Sequence, residues 1–334
     1  MTHSELSDIK KIAELDYGWH KLDGKTLLVS GGTGFIGRFL IDVIKYRNKT
    51  FGNRIRVVSL SRRGGESEEG VSYLKADVTN PIEFEGEVDY ILHLASNTHP
   101  KQYATDPVGT VTTNVFGTYN LLTLAVKKGV KRFLLASSVE IYGEGSDEPM
   151  AEDYCGYIDC NTARAGYNEA KRLSESLCQS FIAQYGVDCV IARLARCFGA
   201  DRKEDSKAIA QFLAKALNGE DVVLKSEGKQ RYSYCYVADA VSGIIKVLLD
   251  GKCGEAYNIS DDDEGLTLGD YAKLIARTGG VNAVFDLSGA NNQGVSKAVR
   301  ALVSTDKIKA IGFKPQYTVT GSLQRTFEIL KERR

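Results

Sequence analysis

The sequence has no excess of charge of either sign: 43 Lys and Arg balance 43 Asp and Glu over 334 residues. Nucleic-acid binding draws on a basic surplus or a basic stripe, and neither is visible, which argues against such a partner. Long apolar runs are also missing. The best of them, such as Thr26–Ser30 and Phe133–Ala136, fall far short of the roughly 20 residues a membrane-spanning helix needs. The stretch Met1–Lys21 is polar and mixed in charge, without the apolar core of a signal peptide. Seven cysteines are present, but no CxxC pair among them. Their odd number and their scatter (Cys155, Cys160, Cys178, Cys189, Cys197, Cys235, Cys253) predict reduced thiols in a cytoplasmic protein. No histidine lies near Cys155 and Cys160 to complete a metal site, so none is expected. Repeats and low-complexity segments are absent as well.

From Lys25 to about Arg196, β-branched apolar runs alternate with stretches of helical period. That alternation predicts an α/β fold: a Rossmann-type, doubly wound parallel sheet covered on both faces. Strands are expected at Thr26–Ser30, Arg56–Leu60, Tyr90–His93, Arg132–Ser137 and Cys189–Leu194. Helices are expected near Phe35–Tyr46, Pro107–Lys128 and Arg164–Tyr185. Beyond Arg196 the pattern becomes irregular, with helices near Ser206–Asn218 and Val237–Leu249, and the acidic run Asp261–Gly265 reads as a solvated loop. The expected division is an extension over 1–24, a dinucleotide-binding domain over 25–196, and a smaller, discontinuous C-terminal substrate domain drawn mainly from 197–334.

The first strand runs directly into Gly31-Gly32-Thr33-Gly34-Phe35-Ile36-Gly37 and then a helix. Gly31 permits the tight turn, Gly34 lets backbone amides reach a pyrophosphate, and Gly37 lets the helix pack close to the sheet. The helix N-terminus adds unpaired N–H groups and a positive dipole end. Glycine patterns alone are weak, but strand–glycine–helix near the start of a sheet is the context dinucleotide binding requires. The second strand ends Ser59-Leu60-Ser61-Arg62-Arg63, with no acid for a ribose 2′-hydroxyl and two cations. Arg62 therefore favours NADP over NAD, unless both arginines are surface charges. Asp77 and Val78 are expected beside the adenine.

Tyr167 and Lys171 lie four apart in the third predicted helix and so share a face. An ammonium close to a phenol favours phenolate, which predicts a lowered pKa for Tyr167. A phenolate can take the proton of a substrate hydroxyl while hydride leaves for a nicotinamide. Ser137 and Ser138 end the preceding strand, at the carboxyl edge where ligands bind in such sheets.

Together with His93-Leu94-Ala95-Ser96, Thr113-Asn114-Val115-Phe116-Gly117-Thr118, Ser137-Ser138-Val139-Glu140-Ile141-Tyr142-Gly143, Tyr236-Val237-Ala238-Asp239 and Gly312-Phe313-Lys314-Pro315, these motifs make the chain resemble the extended short-chain dehydrogenase/reductase family. The resemblance implies a homodimer built on the two long helices, a nucleotide-sugar substrate, and epimerase, dehydratase, decarboxylase or reductase chemistry. It implies Tyr167 as base, Lys171 as its activator and Ser138 as partner of the reacting hydroxyl. Thr33, Phe35, Ile36, Ser61, Leu94, Ala95, Ser96, Asn114 and Lys171 would line the cofactor. Asn97, Arg164, Arg196, Arg231 and Arg300 would meet the substrate.

Within the family, the stretches His93–Asn114 and Arg164–Arg172 look most like UDP-glucuronate decarboxylases. Glu140 falls where decarboxylases and 4,6-dehydratases carry a glutamate that assists later chemistry; otherwise it is a strand-end carboxylate facing solvent. The chain departs from those patterns in three places. Tyr232 stands where the decarboxylases have arginine, with Arg231 adjacent as a replacement after a register shift. Val139 replaces the aspartate of the dehydratase pair. Arg196 replaces a family asparagine, and reads either as a bidentate anion contact or as half of a structural ion pair. The set complete without these residues is that of a C4 epimerase; decarboxylation, 4,6-dehydration, 4-dehydrogenation and small-carbonyl reduction are the alternatives, and a non-catalytic scaffold would not have kept Tyr, Lys and Ser. His93, on an apolar strand, reads as a core histidine, and Tyr90, Tyr142 and His99 as packing or loop residues.

Overall fold

A computed structural model of the protein describes residues 1–98, 100–201, 207–261, 265–287 and 300–334, and for residues 100–102 and 300 the backbone alone. His99, Ser206 and the centre of the acidic run 261–265 lie outside the described residues. Seven strands form one parallel sheet: β1 Thr26–Ser30, β2 Arg56–Ser61, β3 Val71–Lys75, β4 Tyr90–His93, β5 Arg132–Ser138, β6 Cys189–Leu194 and β7 Ala256–Ile259. Their spatial order is β7-β6-β5-β4-β1-β2-β3, which reverses direction between β4 and β1. Every residue of β1 and β6 is buried, as the unbroken apolar runs require when helices cover both faces.

The helices that matter are α1 His3–Ala13, α2 Phe35–Phe51, α3 Pro107–Lys128, α4 Ala165–Tyr185, α5 Ala208–Leu217, α6 Val237–Asp250, α7 Leu268–Gly279 and α8 Val319–Glu332. Alternate residues of each strand serve opposite faces. Leu27, Val29, Leu92 and Leu134 pack in one cluster with Phe39 and Leu40 of α2 and Val241 and Ile244 of α6. Leu28, Ile91, Phe133 and Leu135 pack in the other with Leu121 and Leu122 of α3 and Cys178 of α4. No helix among the described residues is long and apolar enough to cross a membrane.

Two sheet strands add to the five expected ones, β3 at the strand-like run before Asp77 and β7 beyond residue 196. β3 has one buried residue of five, and β7 is a four-residue strand containing the polar Asn258. Both sit at sheet edges, and β7 returns to the sheet from beyond residue 196. Helix α2 runs five residues past Tyr46 because the Arg47 guanidinium packs over Phe51 at 3.9 Å and donates to the Ala13 carbonyl at 2.8 Å. Gly52, at φ 70°, then ends it.

Helix α1 is integral to the core. Thr2 and Glu5 form a reciprocal cap, and Ile9 and Ile12 are fully buried. Its buried Asp8 accepts hydrogen bonds from Tyr236 (2.5 Å), Tyr317 (2.8 Å) and Arg325 of α8 (3.0 Å). A carboxylate so far from water needs that many donors.

Candidate active site

The carboxyl ends of β1, β4, β5 and β6 converge, and each leads into a predicted site segment. α4 runs beside β5 and delivers Tyr167 and Lys171, both buried at 5% and 3% exposure. The Lys171 ammonium donates to the Ala136 carbonyl at 2.7 Å and lies 5.9 Å from the centre of the Tyr167 ring. Burial pulls Lys171 down to about 8, opposed by Glu175 one turn along the helix. Glu175 is itself held by Arg193 at 2.8 Å and by the Ser137 hydroxyl at 2.5 Å.

The phenol does not follow the expected direction. Burial pushes Tyr167 up to about 12, and the nearby Glu140 charge adds to that rise. Hydrogen bonds from Ser138 and Ser96 work the other way. Desolvation of the charged form outweighs an ammonium that is spent on a backbone carbonyl. The relief available to the phenolate therefore comes from two hydroxyls and from whatever positive charge binds in the crevice.

Ser138 ends β5 and also accepts the Glu140 N–H at 3.2 Å. Ser96, expected at the cofactor, lies beside Tyr167. Its hydroxyl donates to Asn114 Oδ1 at 2.8 Å, while Asn114 Nδ2 donates to the Thr110 carbonyl at 2.8 Å. Asn114 thus braces the loop after β4 against α3. Sequence reasoning gave Tyr103 no role. It stacks on Tyr167 with ring centres 4.8 Å apart and planes 21° apart. Aromatic stacking has no sequence-local signal across 64 positions.

Glu140 is not a solvent-facing carboxylate. Its Oε2 accepts from Arg164 at 3.0 Å and its Oε1 from Arg196 at 3.2 Å, while Asn168 of α4 donates to its carbonyl at 2.7 Å. Arg164 lies 5.2 Å from the Tyr103 ring centre, and Arg196 lies 3.7 Å over Tyr232. Arg231 shares the two-residue strand Arg231–Tyr232; it is half-buried where Tyr232 is buried, and strand alternation turns the two side chains to opposite faces. Asn97 is half-buried in the loop after β4. The side chain of Arg300 lies outside the described residues; its backbone pairs with Arg231.

His93 is buried and neutral. Its Nδ1 pairs with Ser30 Oγ at 2.8 Å, and burial lowers its pKa to about 3. Tyr142 donates to buried Asn258 at 2.6 Å, away from the reacting phenol.

The glycine turn has the shape a dinucleotide requires. Gly31 adopts φ 76°, and a Cβ there would meet the Ala95 backbone nitrogen at 2.8 Å. A Cβ on Gly37 would meet the Gly31 carbonyl at 2.3 Å. Gly34 caps α2 with no side chain on its N–H groups, so the amides of Phe35, Ile36 and Gly37 face the turn that Thr33 helps form. Ser61 closes its own turn onto the Gly64 carbonyl at 3.2 Å, and Arg62 and Arg63 beyond it are exposed. Asp77 caps a turn through the Thr79 N–H at 3.0 Å, and Val78 is buried next to it. Leu94 and Ala95 are half-buried opposite Gly31. Cradle, dipole end and flanking loops fit a nicotinamide dinucleotide.

A Rossmann sheet with this cradle, and a tyrosine and lysine one turn apart beside it, defines a short-chain dehydrogenase/reductase. The chain belongs to the NAD dependent epimerase/dehydratase family, whose sequence model matches residues 27–260. It is 33% identical over 279 residues to UDP-glucuronic acid decarboxylase 1 of Danio rerio, covering 81% of this chain and 64% of that protein. Against UDP-glucuronic acid decarboxylase 3 of Arabidopsis thaliana it is 35% identical over 246 residues, covering 71% of this chain and 70% of the relative. The fold matches an epimerase from Methanothermobacter thermautotrophicus with a TM-score of 0.80 at 22% identity, over 99% of this chain and 97% of that one.

Proposed function

We propose that this protein oxidises the C4 hydroxyl of a nucleotide-linked uronic acid and that the 4-keto sugar then loses CO2, as a UDP-glucuronate-type decarboxylase. The observation that carries the oxidation step is the buried Tyr167 phenol, with Lys171 5.9 Å from its ring and Ser138 and Ser96 beside it, at the carboxyl edge next to the glycine cradle. When bound in that cradle, the oxidised nicotinamide supplies the hydride acceptor. Gly31, Gly34, Gly37 and the amides that open α2 would hold its pyrophosphate, and exposed Arg62 favours the 2′-phosphate of NADP. Ser138 orients the sugar hydroxyl, Tyr167 takes its proton, and Lys171 fixes the floor of the site through the Ala136 carbonyl. With the ketone at C4, a carboxylate on C5 is a β-keto acid and departs as CO2, its electron pair passing to the C4 oxygen; protonation of that enolate at C5 and return of the hydride to C4 would give the pentose. The identity to decarboxylases over most of the chain supports this outcome, and so does the bracketed Glu140.

A second reading is favoured by Tyr232: without an arginine there, C4 epimerisation needs only the residues already in place. Incubation with UDP-glucuronate, UDP-glucose and their dTDP-, GDP- and CDP- counterparts, followed by mass and NMR of the products, separates the two. Release of CO2 with a pentose product is the expected result; unchanged mass with inverted C4 selects epimerisation, and no turnover of any sugar defeats both readings.

The outer surface of the two long helices supports a homodimer. Val108, Phe116 and Tyr119 of α3 and Leu173 and Tyr185 of α4 are all exposed, an apolar band that a second copy would cover. Phe116→Glu is expected to halve the mass measured by light scattering. An unchanged mass would remove these helices from the interface.

A further inference from the structure

We infer that Arg196 is the residue that grips an oxyanion of the substrate, its guanidinium having taken over the place that Tyr232 leaves without a cation; this rests on the nucleotide-sugar reading. Arg196 opens a short strand, Arg196–Phe198, that pairs in parallel with Tyr234–Tyr236, Arg196 opposite Tyr234. Tyr232 precedes Tyr234 by two residues, so the period of an extended chain turns it to the same face, and it sits diagonally under Arg196. The guanidinium carbon lies 3.7 Å above the Tyr232 ring centre, a face-on stack on a side chain only 8% exposed. Tyr232 is therefore a platform. It fixes the plane of the guanidinium and leaves the N–H groups on its rim, the geometry that suits planar, two-pronged binding of a phosphate or carboxylate.

One rim nitrogen donates to Glu140 Oε1 at 3.2 Å, the one polar contact of that side chain among the described residues. The other Glu140 oxygen takes Arg164 at 3.0 Å. Two guanidiniums thus share a single carboxylate at the edge of the crevice that holds Tyr167, and the cluster keeps one net positive charge. A structural ion pair would balance its charges. Among the described residues, these three side chains carry one net positive charge that a negative group of the substrate would offset, and Arg196, 26% exposed, has the reach to meet it. A diphosphate and a uronate carboxylate offer the same chemistry, so the experiment must separate them.

The measurement is calorimetric titration of the dinucleotide-loaded protein with UDP, UDP-glucose and UDP-glucuronate. Arg196→Asn is expected to weaken binding about ten- to a hundred-fold, the loss of a charge-assisted pair of hydrogen bonds. Weakening of all three ligands assigns the diphosphate, and weakening of UDP-glucuronate alone assigns the carboxylate. Moving the cation back, in Arg196→Asn with Tyr232→Arg, is expected to restore affinity to within about three-fold of the wild type. Arg196→Lys keeps the charge without the fork and is expected to fall between. Dinucleotide affinity and the melting temperature, measured on each variant, distinguish lost contact from lost fold. If Arg196→Asn binds all three ligands as the wild type does, Arg196 only pairs with Glu140 and the inference is overturned. A folded double variant as weak as the single one overturns the exchange of positions. Should the wild type bind none of the three, the nucleotide-sugar reading fails, and this inference with it.

Discussion

Tyr167→Phe is expected to lower turnover by about 10²- to 10⁴-fold while leaving dinucleotide affinity unchanged, because it removes one proton acceptor and little volume. The pH profile carries the sharper information. The phenol is held above its ordinary value of 10, at about 12, so its neutral form dominates at pH 7. Each unit of pH below that value multiplies the phenolate fraction tenfold. Lys171, lowered to about 8 by burial, loses its ammonium above that pH, and with it a positive charge 5.9 Å from the centre of the Tyr167 ring. The two directions oppose one another across pH 8. Wild-type kcat/KM is accordingly expected to climb from pH 6 to about 8 and to flatten beyond it, while the residual activity of Tyr167→Phe lacks the climb. Steady-state rates for both proteins over that range test this. A phenylalanine variant within about three-fold of the wild type would mean that some other group takes the proton.

Much of this site could be read before any coordinates, because its parts are local. The strand–glycine–helix turn occupies seven consecutive residues, and Tyr167 and Lys171 are placed together by helix period alone. What stayed illegible depends on contacts between distant segments. Tyr103 meets Tyr167, Arg196 covers Tyr232, and Glu140 is shared by Arg164 and Arg196. The expected sense of the Tyr167 shift failed for a related reason. Sequence spacing supplies the partner charge but not the depth of burial, and here burial decides. The missed strand, β7, follows the same rule. β7 contains Asn258, whose amide donates to the carbonyls of Met150 and Ser304 and accepts from Tyr142, so a polar residue unfavourable to a strand by propensity is satisfied by tertiary partners.

Gly37→Ala tests the cradle independently of the chemistry. The added methyl would lie 2.3 Å from the Gly31 carbonyl oxygen and 2.7 Å from the Gly32 Cα. Both neighbours are backbone, so neither can swing aside as a side chain would. Relief requires α2 to move off β1, and that displaces the amides of Phe35 and Ile36 from the pyrophosphate position. Overpacking of this kind costs about 1–3 kcal/mol, and here it falls on the binding geometry as well as on the fold. Dinucleotide affinity, read by fluorescence titration with NADPH and NADH, is expected to drop at least about ten-fold. Gly52→Ala is the matched control. Gly52, unlike the helical Gly37, has a left-handed backbone, at φ 70°, and its Cβ would meet nothing within 4 Å. That substitution is expected to cost about 1 kcal/mol of stability through backbone strain and to leave dinucleotide affinity intact. If Gly37→Ala binds both cofactors as tightly as Gly52→Ala, the close approach of α2 to the turn is a packing feature only, and the dinucleotide must rest elsewhere.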